Sequence, residues 1–390
     1  MKKTAELVFT GDIGFDKYMD GKWSDSRLLE GEVSDFLKSG NHLIVNVEGP
    51  LSEGKKMDSE GNAAKLLHTM NPEVADFLDG IGADVWNICN NHIMDAGREG
   101  IEDTLRIAQE HGVSTLGAGR NIGEARKPVI FDEAGGIGLI GVGYQRACRK
   151  ADTDTPGCFS WSDMEGIRAT INEVKKTCRW CIIVAHGGEE FTALPSRYTR
   201  DRYLEYLDMG ADVVVAHHPH VPMNYEIRGE KAIFYSLGNF IFDTDYQRSQ
   251  FNTEKGILLR LTFTETDFNF EAFGIKINRD EERIEEAELP KIFENVEESE
   301  YNKLEALAAA MFIENTKKQW RYLKPEKFEN ASPQDWYDNF YEPLRSGRVP
   351  GEVLDFQIIY PLAQKAAEGA WKDSKLENVK EFILEQMNIK

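Results

Sequence analysis

The chain has 390 residues, 41% hydrophobic and 29% charged, a composition that fits a globular protein with a full core and excludes a disordered or fibrous one. Its 67 acidic residues against 46 basic ones leave a formal net charge of −21. Nucleic acid is thereby disfavoured as a main partner, because phosphate contacts need a basic face, whereas cation binding suits an acidic protein.

No segment reaches the ~20 apolar residues of a membrane span. Met1-Lys2-Lys3 opens like a secretory signal, but Glu6 interrupts the apolar stretch that follows, so a cytoplasmic chain is expected, with cell-surface association only through partners. The five cysteines form no framework, and Cys178 and Cys181, despite their C-x-x-C spacing, read as ordinary buried thiols.

Up to about residue 278 short apolar strands alternate with amphipathic helices. A strand at Leu7–Thr10 ends in Gly11-Asp12, and one at His42–Val47 ends in Glu48-Gly49-Pro50. A helix is predicted over Pro72–Leu78, with Asn71 as N-cap and Pro72 at the first position. The strand Asp84–Cys89 runs into Asn90-Asn91-His92, and the helix Gly100–His111 stops at Gly112. Short strands are expected at Val113–Leu116, Pro128–Phe131 and Ile137–Val142, then a helix at Asp163–Thr177. The strand Cys181–Ala185 precedes His186, the helix Arg200–Met209 follows, and the strand Asp212–Ala216 precedes His217-His218-Pro219-His220.

The spacing then shortens. Val221–Ile227, Ala232–Tyr235, Ile257–Thr264 and Asn269–Lys276 read as hairpin strands, with one turn at Arg228-Gly229-Glu230. Past Asn278 the periodicity becomes helical, at Ser299–Glu314, Pro361–Ala370 and Glu377–Met387, with Trp320, Trp336 and Trp371 as core and docking residues. The expected fold is α/β, an α+β sandwich of packed mixed sheets flanked by helices over residues 1–278, carrying a helical region over 279–390.

Five of the eight histidines lie just past predicted strand ends, the edge of an α/β sheet where ligands bind. Neutral imidazole is the commonest ligand for a borderline metal ion. Asp12 places a carboxylate at the first strand tip, although an aspartate there also caps turns. Asn46 and Glu48 are two apart and share a face, as do His218 and His220 if that segment is extended. One such residue is usually structural; several ligand-type groups on one sheet edge point to a metal site.

The motifs Gly11-Asp12, Asn46-Val47-Glu48-Gly49-Pro50-Leu51, Asn90-Asn91-His92-Ile93-Met94-Asp95, Gly117-Ala118-Gly119-Arg120-Asn121 through Pro128, His186-Gly187-Gly188-Glu189-Glu190, His217-His218-Pro219-His220-Val221 and Tyr235 to Asp243 occur in that order. Together, over about residues 7–265, this pattern resembles the bacterial capsule-synthesis family called CapA or PGA_cap, named for poly-γ-glutamate production. That family looks like a branch of the calcineurin-like metallophosphoesterases. The resemblance implies packed mixed β-sheets and one or two divalent ions (Mn, Fe, Zn or Mg). It implies Asp12, Glu48, Asn91, His186, His218 and His220 as metal ligands, with Glu48 at the bridging position. It also implies His92 beside the leaving group. Asn46, Arg126, Glu190 and Asn239 are candidates for the substrate shell, Arg126 and Asn239 reading equally well as a surface cation and a turn amide.

The chain departs from the phosphoesterase pattern where Asp12-Ile13-Gly14 stands for Asp-x-His, and where Glu48 replaces a shorter aspartate. Asp16, in the following turn, offers a substitute carboxylate. His217 is expected to be a spacer or a support for the ligands. The expected activity is metal-dependent hydrolysis of the phosphoesterase type. The alternative is an accessory, non-catalytic role in making or exporting a γ-glutamyl polymer, with a degenerate metal site. The substrate class is accordingly a small phosphoester or a γ-glutamyl polymer.

Overall fold

The computed structural model describes residues 3–54, 67–144, 148–323, 326, 362–363 and 365–387. Two mixed sheets pack face to face. In the first, β1 (Ala5–Gly14), β2 (His42–Val47), β3 (Ala83–Asn87) and β4 (Ser114–Leu116) are parallel neighbours. On the other side of β1, β14 (Lys255–Phe263), β15 (Phe268–Asn278) and β16 (Arg283–Glu286) continue antiparallel, and β13 (Asn239–Phe242) pairs with the end of β1.

The second sheet has the order β11 (Tyr225–Arg228), β12 (Lys231–Phe234), β10 (Val213–His217), β9 (Trp180–His186), β7 (Ile137–Gly143), β6 (Val129–Phe131). A small ribbon joins β5 (Ala118–Gly119) to β8 (Gly157–Cys158). The helices are α1 (Gly31–Leu37), α2 (Val74–Gly80), α3 (Gly97–Glu110), α4 (Ile122–Ala125), α5 (Met164–Val174), α6 (Arg197–Met209), α7 (Asp245–Arg248), α8 (Glu298–Leu323) and α9 (Glu377–Gln386).

Strand alternation builds the layers. Leu7, Phe9, Ile44 and Val85 meet Ile182, Val184, Val213, Val215 and Phe234 between the sheets. Val8, Val45 and Trp86 turn outward onto Val33, Leu78 and Ile101 of α1–α3. Ile183 and Val214 turn outward onto α5 and α6 through Ile171, Tyr203 and Leu207. Burial on both faces explains why the central strands read as unbroken apolar runs. No helix among the described residues is long and apolar enough to cross a membrane. All five cysteines are free and buried, as expected.

Several boundaries differ from the sequence reading. Helix α2 starts at Val74; Asn71 instead caps the preceding turn, its Oδ1 accepting from the Glu73 N–H at 2.8 Å. The predicted strand over Val221–Ile227 forms a continuous ladder only from Tyr225; before it Pro222, which lacks an N–H to donate, makes just an isolated bridge to Leu237. Strand β13, inside the Tyr235–Asp243 motif, lies outside the expected elements. The first sheet also runs past Asn278, since β16 pairs with β15. Of the helix expected at 361–370, residues 361 and 364 lie outside the described residues, 362, 363 and 365 are helical, and short 3-10 turns follow at Ala366–Glu368 and Ala370–Asp373. Trp371 packs on the C-terminal cluster, as expected of a docking residue, whereas Trp336 and the side chain of Trp320 lie outside the described residues.

The C-terminal helices dock through Leu304, Leu307 and Met311 of α8 and Val379 and Ile383 of α9, which enclose Ala193 and Leu194. Polar anchors flank this contact. The Tyr301 hydroxyl donates to the Pro195 carbonyl at 2.9 Å, and the Arg200 guanidinium lies 4.6 Å over the Tyr301 ring. Arg200 also forms a buried fork with Glu226, at 3.0 and 2.8 Å. Burial alone would push the Glu226 carboxyl up, but Arg200, Arg228 and the Tyr235 hydroxyl hold it below its ordinary value. Removing one partner of a buried pair strands the other charge and costs about 3–5 kcal/mol. Arg228 and Tyr235 still serve Glu226, so Arg200→Leu should sit at the low end, about 3 kcal/mol in urea denaturation. A loss below about 1 kcal/mol, the worth of a surface pair, would show that the fork is dispensable.

Candidate metal centre

The C-terminal tips of both sheets converge. Across the first sheet the register sets Asn239, Asp12, Asn46 and Asn87 in one row over β13, β1, β2 and β3. Across the second, Gly143, His186 and His217 form a row over β7, β9 and β10. β1 is irregular around Asp12. Gly11 lets the 238 turn close in: a Cβ at 11 would lie 2.2 Å from the Gly238 carbonyl oxygen, and the Asp12 N–H donates to that oxygen at 3.0 Å.

Glu48 stands at the centre, just past β2, with its carboxylate fully buried. His186 Nε2 and His220 Nε2 both lie 3.6 Å from Glu48 Oε1, and His92 Nε2 lies 3.9 Å from it. Two ligand groups overlap there, Asp12–Glu48–His186 and Glu48–His218–His220, with all ligand atoms of each within 4.8 Å of one another. Asn91 Oδ1 is 2.7 Å from His186 Nε2. All six expected ligands are thus brought together.

Among the described residues neither oxygen of Glu48 has a hydrogen-bond partner. A buried carboxylate without hydrogen bonds is expensive, so burial, with Asp12 and Glu190 adding to it, pushes its carboxyl well above the ordinary range, while His220 opposes. Burial, and then the neighbouring histidines, push His186 well below its ordinary value and keep it neutral, the ligand form. A divalent cation among these groups would satisfy both Glu48 oxygens and offset the acidic charge; the donor set fits one.

Surrounding amides orient the candidate ligands. Asn46 donates to Asp12 Oδ1 at 2.8 Å, lies 3.3 Å from His186 Nδ1 and accepts from Asn87 at 2.7 Å. Asn46, expected beside the substrate, lies buried among the candidate ligands. Asn239 likewise accepts from His220 Nδ1 at 3.0 Å, which leaves Nε2 facing Glu48. Such partners fix ring orientation and tautomer. Glu190 is at the rim, 3.9 Å from His218 Nε2, and accepts from the Tyr246 hydroxyl. Arg126 is not brought to the cluster: it is exposed at the C-cap of α4. His217 reaches across the sandwich, with Nε2 2.9 Å from the Thr10 carbonyl oxygen, a support role as expected.

His218 and His220 do not face one way through strand alternation. Both have left-handed backbones, φ 98° and 58°, around Pro219. Such backbones cost about 1–3 kcal/mol each and persist where the surroundings enforce them. Position 14, where the phosphoesterase pattern has a histidine, is filled from elsewhere: a Cβ on Gly14 would lie 2.3 Å from the Phe242 ring, which stacks on His220. Asp16 does not replace that ligand. Its Oδ2 is 3.1 Å from His68 Nδ1.

His68 escaped the sequence reading because no strand or motif precedes it. Its N–H donates to Asp95 Oδ2 at 2.8 Å, the oxygen that also holds His92 Nδ1 at 2.6 Å. The His68 ring meets His92 edge-on. Burial, then the His92 charge, push His68 down to about 3 from 6.5. The unfolded chain therefore binds more protons between these values, and stability should fall as pH drops through that window. His68→Phe should show a smaller loss of urea stability between about pH 7 and pH 4 than the wild type. An equal loss would place the acid sensitivity elsewhere.

Taken together, this is an α/β sandwich with a candidate divalent-metal centre at the joined tips of its two sheets. The chain belongs to the bacterial capsule synthesis family PGA_cap, whose family model matches residues 6–244. It is 30% identical over 250 residues to the PGA biosynthesis protein CapA of Bacillus subtilis (strain 168), covering 62% of this chain and 64% of that protein. It is 30% identical over 226 residues to the capsule biosynthesis protein CapA of Bacillus anthracis, covering 56% of this chain and 54% of that protein. The chain thus spans less than two thirds of the length of either relative. A hypothetical protein from Thermus thermophilus, of known crystal structure, aligns over 69% of this chain and 99% of its own, with 12% identity and a TM-score of 0.42.

Proposed function

We propose that this chain is a metal-dependent hydrolase of the phosphoesterase type, serving capsule or poly-γ-glutamate biosynthesis. The observation that carries the reading is Glu48, whose two buried oxygens have no hydrogen-bond partner among the described residues, amid imidazoles and a second carboxylate. Asp12, Glu48, Asn91, His186, His218 and His220 would hold one or two divalent ions. A bound ion supplies Lewis-acid polarisation of an ester oxygen and makes water acidic near neutral pH. Asp95 holds His92 by Nδ1, so His92 Nε2 faces the cluster and can deliver a proton to the leaving oxygen. Glu190, beside His218, accepts from the Tyr246 hydroxyl at 3.2 Å.

Phe242 in the space of a histidine at position 14 favours a second reading, an accessory protein whose reduced site binds one ion without turnover. Two measurements separate them: metal content by mass spectrometry, and hydrolysis of p-nitrophenyl phosphate and its bis-ester with and without Mn. Bound metal with Mn-stimulated turnover is expected. Metal without turnover on either ester selects the accessory reading, and no metal uptake overturns both.

A further inference from the structure

The C-terminal helices reach the metal centre through one backbone carbonyl. Phe191 follows Glu190 in the loop after β9 and is fully buried with a left-handed backbone, φ 60°. Its N–H donates to the Pro219 carbonyl at 2.9 Å, between His218 and His220. Its ring stacks on His220, with centroids 5.9 Å apart at 23°, and meets Tyr246 edge-on. Phe191 therefore braces both the turn that carries two ligands and the partner of Glu190.

Two side-chain amides hold this residue from outside. Asn315 Nδ2 on α8 and Gln386 Nε2 on α9 both donate to the Phe191 carbonyl oxygen. Each amide is only 2% exposed, on helices that dock mainly by apolar side chains. A buried amide is costly unless it is bonded, and a carbonyl has two lone pairs, so two donors from two helices saturate one acceptor. Apolar docking alone would not require this convergence on a strained residue beside a ligand. We infer that Asn315 and Gln386 are positioning residues for the metal centre: the C-terminal helices lock Phe191, and through it the His218–His220 turn, in ligating geometry. This rests on the metal reading proposed above.

The test uses the full chain. Asn315→Leu with Gln386→Met removes both donors while keeping volume and apolar docking. Arg197→Ala is the control, because it breaks the Arg197 fork to Glu305 on α8 and loosens docking away from Phe191. Mn(II) affinity is measured by calorimetry, and the visible spectrum is recorded with Co(II). The double variant should bind Mn about tenfold more weakly, as losses of ligand support do, with a shifted Co(II) spectrum. Arg197→Ala should lower the melting temperature but keep wild-type affinity and spectrum. Wild-type affinity and spectrum in the double variant would overturn the positioning role alone. Equal weakening in Arg197→Ala would reduce the effect to general docking and overturn it too. A wild-type protein that binds neither ion would overturn the metal reading, and this inference with it.

Discussion

Glu48→Gln should abolish metal-dependent stabilisation while making the metal-free protein more stable at neutral pH. Glutamine has nearly the same shape but no charge to bring to a cation. At metal concentrations of 100 times Kd, linkage gives the wild type about 2.7 kcal/mol of added stability, and the variant should gain none of it. The metal-free effect has the opposite sign. The folded-state pKa of Glu48 is raised, so its carboxyl disfavours the fold increasingly as pH rises above its ordinary value of 4.5. Glutamine carries no such penalty at neutral pH. Melting curves with and without Mn, for both proteins, read the two effects separately. An equal Mn-induced shift in both would place the ion elsewhere.

His92→Ala should lower kcat by about 10²–10⁴, the usual contribution of a positioned proton donor, with metal content unchanged. The separation follows from geometry. His92 belongs to neither ligand group and is held by Asp95 rather than by Asp12 or Glu48. His218→Ala should instead lose metal and turnover together. Steady-state kinetics and metal analysis on the same preparations distinguish the two. Unchanged kcat in His92→Ala would remove the proton-donor role, and metal loss in that variant would make it a ligand.

The strand tips were legible because local pattern determines them. Val213 to Ala216 are apolar at every position since both sheet faces are buried, and the polar residue that ends such a run must lie at an edge. Parallel strands bring those edges together, so Asp12, Glu48, His186 and His220 group on sequence pattern alone. That pattern did not reveal that Asn46, near the end of β2, and Asn239, at the start of β13, spend their amides orienting Asp12, His186 or His220.

By itself, then, the sequence determined the layered α/β class, the sheet edge that gathers the candidate ligands and the identity of the ligand-type residues, because periodicity and strand direction are local. Only the tertiary structure decided that Phe242 fills the space beside Gly14, that His68 shares Asp95 with His92, and that His218 and His220 reach Glu48 through left-handed backbones. It alone joined Asn315 and Gln386 to Phe191, across 124 and 195 residues of chain. Those contacts depend on packing between distant segments, and no spacing within a single segment encodes them.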